Sequence, residues 1–203
     1  LYGIYLKAET GNIVGILGRN GCGKTSLLRI LFGDLIPKYA TIRIDGVHQN
    51  TLLYRSGKAS YLPQHQLIPK NLTLKRVFEL FQTDWNLFVQ NFDSFKKYFK
   101  SQVHQLSIGE QRVLETYLII SSNKKIILLD EPFTFIAPIF IEKFKTMLMH
   151  KKQQCAIIIT DHLHRDILEV SDSLYLLKNG ITKQISDRSD LVNEGYLTQP
   201  LKE

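Results

Sequence analysis

Cysteine is scarce: Cys22 and Cys155 are the only two in 203 residues. That excludes a disulfide framework and points to a reducing compartment. No apolar run approaches the roughly 20 residues that a helix needs to cross a bilayer. No signal-peptide pattern opens the chain. Because it begins on Leu1 and not on methionine, further residues are expected upstream, and a targeting segment there stays open. There is no internal repeat of the kind that builds a solenoid, and no low-complexity tract. A surplus of acid is also lacking. The 26 lysines and arginines outnumber 19 acids, for a net charge of +7, which favours anionic partners: a nucleotide, a nucleic acid or an acidic membrane face. The positive charges are scattered, with Lys96, Lys97 and Lys100 the nearest thing to a cluster. Scatter reads as a solvated face and argues against a nucleic-acid partner. With 44% hydrophobic and 22% charged residues, the length and composition suit one α/β domain carrying a small subdomain.

What is present concentrates in one place. Residues 18–25 read Gly18-Arg19-Asn20-Gly21-Cys22-Gly23-Lys24-Thr25, the Gly-x4-Gly-Lys-Thr pattern of a phosphate loop. Its context fits. Ile13-Val14-Gly15-Ile16-Leu17 before it is an apolar run of strand length, and Ser26-Leu27-Leu28-Arg29-Ile30-Leu31-Phe32 after it has helical spacing. Glycines let the backbone curl so that successive N–H groups point at one anion, and the helix N-terminus adds its positive end. The expected roles follow. Residues 18–26 cradle the phosphates, Lys24 reaches the terminal ones, and Thr25 gives a hydroxyl to a magnesium ion.

Elsewhere the chain alternates strand and helix. Residues 1–17 suggest two short strands around a turn at Thr10-Gly11-Asn12. Gly33 should cap the helix after the loop, and Ala40–Ile44 alternates like a strand before the turn signal Asp45-Gly46. Ser60-Tyr61-Leu62 is a short strand. Between 65 and 107 aromatic residues, among them Phe78, Trp85, Phe88, Phe92 and Phe95, fall at three- and four-residue intervals. These read as two or three amphipathic helices, with Thr73 at an N-cap. The aromatic stripe is either the core of a compact helical subdomain or a groove for a partner. Helices are expected at Glu110–Ile120 and Pro138–His150, and strands at Lys125–Leu129 and Ala156–Thr160. A hairpin is expected around Asn179-Gly180. Strands alternating with helices imply an α/β fold with a mostly parallel sheet covered on both faces.

The strand Ile126–Leu129 runs into Asp130-Glu131. Burying paired carboxylates at the end of an apolar strand is costly without a cation nearby. Asp130 is therefore a candidate magnesium ligand beside the phosphate loop, and Glu131 a candidate base that polarises an attacking water.

Order and spacing now make the chain resemble the nucleotide-binding domain of ABC transporters, within the P-loop NTPases. Leu62-Pro63-Gln64 looks like the family's Q-loop. Leu106-Ser107-Ile108-Gly109-Glu110-Gln111 is similar to the Leu-Ser-Gly-Gly-Gln signature, and Thr160-Asp161-His162 ends a strand where the family has its switch histidine. The resemblance covers nearly the whole chain. It implies a P-loop NTPase core of RecA type with a small antiparallel β part and an ABC-type helical subdomain at about 65–107, all in one domain. It implies that Gln64 contacts the magnesium ion or the attacking water and that His162 hydrogen-bonds the γ-phosphate. Ser107, Gly109 and Glu110 would bind ATP held by a second copy of the chain, giving two ATP molecules sandwiched in a head-to-tail dimer. The implied activity is hydrolysis of ATP with Mg2+, driving transport by a separate integral membrane subunit, at the cytoplasmic face of a bacterial membrane. The alternative is a soluble ABC ATPase of DNA repair or translation. Against it, repair types need a long coiled coil and translation types carry two such domains in one chain.

Three departures from the family pattern bear on the site. Ile108 stands for the first signature glycine and Glu110 for the final glutamine. Ala137 stands near the position of an aspartate that couples the two sites. Tyr2 and Tyr5 lie too late to be the adenine-stacking aromatic, which is expected upstream of Leu1.

Overall fold

A computed structural model describes residues 1–161 and 164–196, apart from the side chains of His164 and Arg188. In chain order the elements are β1 (Ile13–Leu17), α1 (Lys24–Phe32), β2 (Arg43–Ile44), β3 (Val47–His48), α2 (Leu53–Ser56) and β4 (Ala59–Leu62). Then come α3 (Leu74–Phe81), α4 (Trp85–Asn91), α5 (Ile108–Ser121), β5 (Ile126–Asp130), α6 (Pro138–Lys151) and β6 (Ala156–Thr160). Last are α7 (His164–Val170), β7 (Ser173–Lys178), β8 (Ile181–Ile185) and α8 (Arg188–Asn193). Two 3-10 turns, Asp93–Tyr98 and Val103–Gln105, precede α5.

The main sheet runs β4-β5-β6-β1-β7-β8. All neighbours pair in parallel except β7 with β8, and β2 with β3 makes a separate antiparallel ribbon. The mixed α/β architecture with its mostly parallel sheet is the one expected. β1 shows why the sheet is buried on both sides. Its side chains alternate, with Ile13 and Leu17 joining one core and Val14 and Ile16 the other. The second core includes Leu27 and Leu28 of α1, so α1 covers that face alongside Tyr61 and Leu128. On the opposite face Gly15 lies so close to α7 that an added Cβ would sit 2.7 Å from Ile167 Cγ2, which reserves the position for glycine.

Local chemistry explains the ends. Gly33 closes α1 in the left-handed conformation (φ 101°) and donates its N–H to the Arg29 carbonyl. Thr73 caps α3, its hydroxyl accepting from the Arg76 N–H at 3.3 Å. Asn179 and Gly180, both at positive φ, turn β7 into β8. Two expectations differ. Among the described residues, 1–12 form no strand beyond an isolated bridge between Gly3 and Ile181, and their backbone bonds are divided, Tyr2 and Gly3 N–H going to the Gly180 carbonyl and Gly11 N–H to the Lys152 carbonyl. The strand expected over Ala40–Ile44 shrinks to Arg43–Ile44, which pair with His48 and Val47 across Asp45-Gly46, and the Ile42 carbonyl accepts one further bond from the Gln49 N–H.

The aromatic stripe is core. Phe88, Phe92 and Phe95 are fully buried and Phe78 nearly so, continuous with the sheet face that carries Ile13 and Ile127. Phe88 sits at the centre, within 5.5 Å of the ring centroids of Phe78, Trp85, Phe92, Phe95 and Tyr117. Rings at these separations in tilted or edge-on geometry add specific attraction to area burial. Phe88→Ala is expected to cost about 3–5 kcal/mol of stability, measured as a lower urea midpoint; a change below about 1 kcal/mol would contradict this core.

Candidate active site

Five parallel strands end at the same edge, and four of them hand the chain to a segment singled out in the sequence. β1 leads into the phosphate loop, β4 into Gln64, β5 into Asp130-Glu131 and β6 into Asp161. His162 lies outside the described residues.

The phosphate loop needs its glycines. Gly21 and Gly23 have φ of 78° and 109°, which most side chains tolerate poorly. Gly18 is buried, and a Cβ there would stand 2.5 Å from Cys22 Sγ and 2.7 Å from the Leu177 carbonyl oxygen. No side chain caps the start of α1, so its first-turn N–H groups remain available for an anion. Lys24 is 6% exposed, and its ammonium donates to the Gly18 carbonyl at 2.7 Å and the Arg19 carbonyl at 3.4 Å. The lysine thus lies along the inside of the loop. Thr25 and Ser26 are half-buried in the first turn, and Arg19, Asn20 and Gly21 are exposed at the rim.

Asp130 is fully buried. Alternation along β5 puts it on the face of Leu128, the face covered by α1. Its carboxylate accepts from the Thr160 hydroxyl at 2.7 Å and the Tyr61 hydroxyl at 3.2 Å. Burial, and then the neighbouring Asp130 charge, push the Tyr61 phenol well above its ordinary range, so it stays a donor. Glu131 follows in the left-handed conformation (φ 51°), a strain of about 1–3 kcal/mol for a residue other than glycine. Gln64 donates its amide to the Glu131 carboxylate at 3.0 Å. The two residues expected to flank the attacking water therefore touch, although they are remote in sequence.

The signature segment starts α5. Ser107 is its N-cap, and a capping box closes it: the Ser107 N–H and hydroxyl both donate to the Glu110 carboxylate at 2.8 Å, and the Glu110 N–H donates back to the Ser107 hydroxyl. Burial alone would raise the Glu110 carboxyl, yet the bonds from Ser107 and Tyr98 hold it below its ordinary value. Gly109 is pressed against the next loop, since a Cβ there would lie 2.5 Å from the Phe135 carbonyl oxygen. Ile108 and Phe135, 70% and 75% exposed, stand on this surface. Ala137 is the N-cap position of α6 and makes no side-chain cap.

Other residues at this edge were not singled out from the sequence. Tyr61 is one, and the alternation of β4 with an acid opposite could have found it. The Arg112 guanidinium donates to the carbonyls of Pro63, Asp130 and Glu131. Its signal was an arginine and a glutamate three apart in the apolar run of α5. At the rim the Arg19 guanidinium donates to the Gly195 carbonyl at 3.0 Å, and the Tyr196 phenol is bonded to the Gly18 backbone. The segment after α8 thus lies against the phosphate loop, a contact with no local sequence signature.

The family model described as ABC transporter matches residues 1–134. This chain belongs to that family. It is 28% identical over 203 residues to a probable ABC transporter ATP-binding protein of Azorhizobium caulinodans, covering 93% of this chain and 72% of the relative. It is 29% identical over 193 residues to the lipopolysaccharide export system ATP-binding protein LptB of Escherichia coli K12, covering 87% of this chain and 80% of that protein. Its fold is similar to that of an ATP-binding cassette solved as a dimer in a post-hydrolysis state with ADP and Pi, with a TM-score of 0.75 at 20% identity over 90% of this chain and 89% of the other. As an ABC ATPase, the chain binds and hydrolyses ATP.

The two thiols should behave differently in this ABC ATPase. Cys155 is fully buried, and burial pushes its thiol up. Cys22 is half-exposed, and its Sγ packs against Gly18 inside the loop. N-ethylmaleimide is expected to modify Cys22 first and to lower ATP affinity, with ATP protecting. A Cys22→Ala variant inhibited equally would contradict this placement.

Proposed function

We propose that this chain is the ATP-hydrolysing subunit of a membrane transporter, acting as a head-to-tail pair whose closure on two ATP molecules moves a separate membrane subunit. The observation that supports this most is the convergence of the phosphate loop, Asp130, Glu131 and Gln64 at one sheet edge, with Glu131 and Gln64 3.0 Å apart. Ligands of open parallel sheets bind at this edge.

The geometry of the loop, Asp130, Glu131 and Gln64 supports the following roles. Loop amides and the α1 N-terminus hold the β- and γ-phosphates, and Lys24 exchanges its loop carbonyls for phosphate oxygens. Glu131 accepts a proton from the attacking water, which Gln64 orients, and His162 stands in the role the resemblance gives it at the γ-phosphate. The available donors beside the loop are all hard oxygens: the Thr25 hydroxyl, the Asp130 carboxylate and the Gln64 amide oxygen. They suit a small divalent cation. Magnesium bound there would neutralise charge on the phosphate oxygens. Ser107 and Gly109 of the second copy complete the site from the other side, with α5 presenting its N-terminal end.

The helices within 65–107 serve as the arm toward the membrane subunit. An open groove of about 420 Å3 between Lys75, Phe78, Glu79, Gln82, Trp85 and Phe99 runs along it. Among the described residues no helix is long and apolar enough to cross a membrane. In this reading the membrane part is a separate subunit, as the family resemblance implies, and the chain works at the cytoplasmic face. The curated relatives above are bacterial, and a bacterial source fits this reading.

Glu131→Gln is expected to keep ATP affinity, to hydrolyse at least about 100-fold more slowly, and to accumulate as an ATP-bound dimer in light scattering. Turnover at the parent rate would remove Glu131 from the role of base.

A further inference from the structure

Resting on the reading of Glu131 as the base, we propose that Arg112 is a positioning residue for hydrolysis, a buried fork that holds Glu131 and Gln64 in register from the signature helix.

Arg112 sits in the second turn of α5 and is 6% exposed. One arm of its guanidinium donates to the Pro63 carbonyl at 2.7 Å, immediately before Gln64. The other donates to the carbonyls of Asp130 and Glu131, the latter at 2.8 Å. A single planar group therefore ties the end of β4 to the end of β5, and its rigid fork geometry is what a lysine lacks. The placement matters because Glu131 holds an unfavourable φ. Its backbone is fixed from both sides: its N–H donates to the Thr160 carbonyl at 2.8 Å, and its carbonyl accepts from Arg112. Without the fork, the left-handed backbone can relax and the carboxylate swings away from Gln64. Small misplacements of a catalytic group cost large factors in rate.

Glu115, one turn further along α5 and 3% exposed, completes the clamp. It lies 3.8 Å from Arg112 and accepts the N–H groups of Leu67 and Ile68, just after Gln64. The Gln64 segment is thus held on both sides by one helix turn. The same helix carries Ser107 and Gly109 at its start, so the pair links the end that faces the second copy's nucleotide to the carboxylate of its own site. This link uses no aspartate at position 137.

The test uses the full chain as Arg112→Lys, Arg112→Gln and Arg112→Ala. A double variant, Arg112→Met with Glu115→Leu, replaces the buried pair by apolar groups of similar volume and leaves neither charge buried without its partner. Fraction folded, affinity for a fluorescent ATP analogue, KM and kcat are measured together. The expected result is kcat reduced about 10- to 100-fold in every folded variant, with KM and analogue affinity within about 2-fold of the parent. Millimolar guanidinium should partly restore Arg112→Ala but not Glu131→Gln. Parental kcat in any folded variant, or kcat and affinity falling together with the folded fraction, would overturn the proposal. If Glu131→Gln itself keeps the parent rate, the reading of the base fails first; if it is silent while Arg112→Gln is fully active, only the role of Arg112 fails.

Discussion

The register of three parallel strands fixes everything at this edge. Ile16 of β1 and Asp130 of β5 both pair with Thr160 of β6, so the phosphate loop, the buried acid and the Thr160 hydroxyl end at one level. Because side chains alternate, a slip of one residue would turn Asp130 away from α1 and put Leu129 in its place. The apolar runs of β1, β5 and β6, buried on both faces, hold that register. The geometry of the proposed site is a consequence of hydrophobic burial at residues that have no part in the proposed chemistry.

Burial also sets the electrostatics. Asp130 has no exposed surface, and the hydroxyls of Thr160 and Tyr61 stabilise its charge. Lys24 lies nearly buried along loop carbonyls. Charges held in such surroundings interact more strongly than they would in water and need little rearrangement when phosphate charge enters. Arg112 and Glu115 extend the same logic to the backbone, pairing with each other and with carbonyls and amides of the neighbouring segments.

Much of this was legible in the residues. The phosphate loop, the Gly33 cap, the Thr73 cap, the apolar strands and the Asn179-Gly180 hairpin all follow from local rules of spacing and turn chemistry. The Ser107-to-Glu110 spacing is also a capping box, and the structure realises it. What was not legible depends on residues far apart in sequence. Arg112 bonds Pro63, 49 positions earlier, and Glu131, 19 positions later. Arg19 meets Gly195 across 176 positions. The aromatic stripe could not declare itself core or groove until α3, α4 and α5 were brought together around Phe88. The strand expected before Thr10 is reduced to one bridge, since the backbone bonds of residues 1–12 are divided between the β7–β8 turn and the loop after α6.

The central claim is a site shared by two copies, and trans-complementation tests it most directly. Lys24→Ala removes the phosphate grip, and Ser107→Arg removes the signature contact. Each variant alone is predicted to be inactive. Mixed in equal amounts they should recover about a quarter of the parent rate, because half of the dimers are mixed and each mixed dimer has one intact site. A mixture as silent as its parts, or either variant active alone, would contradict the shared site.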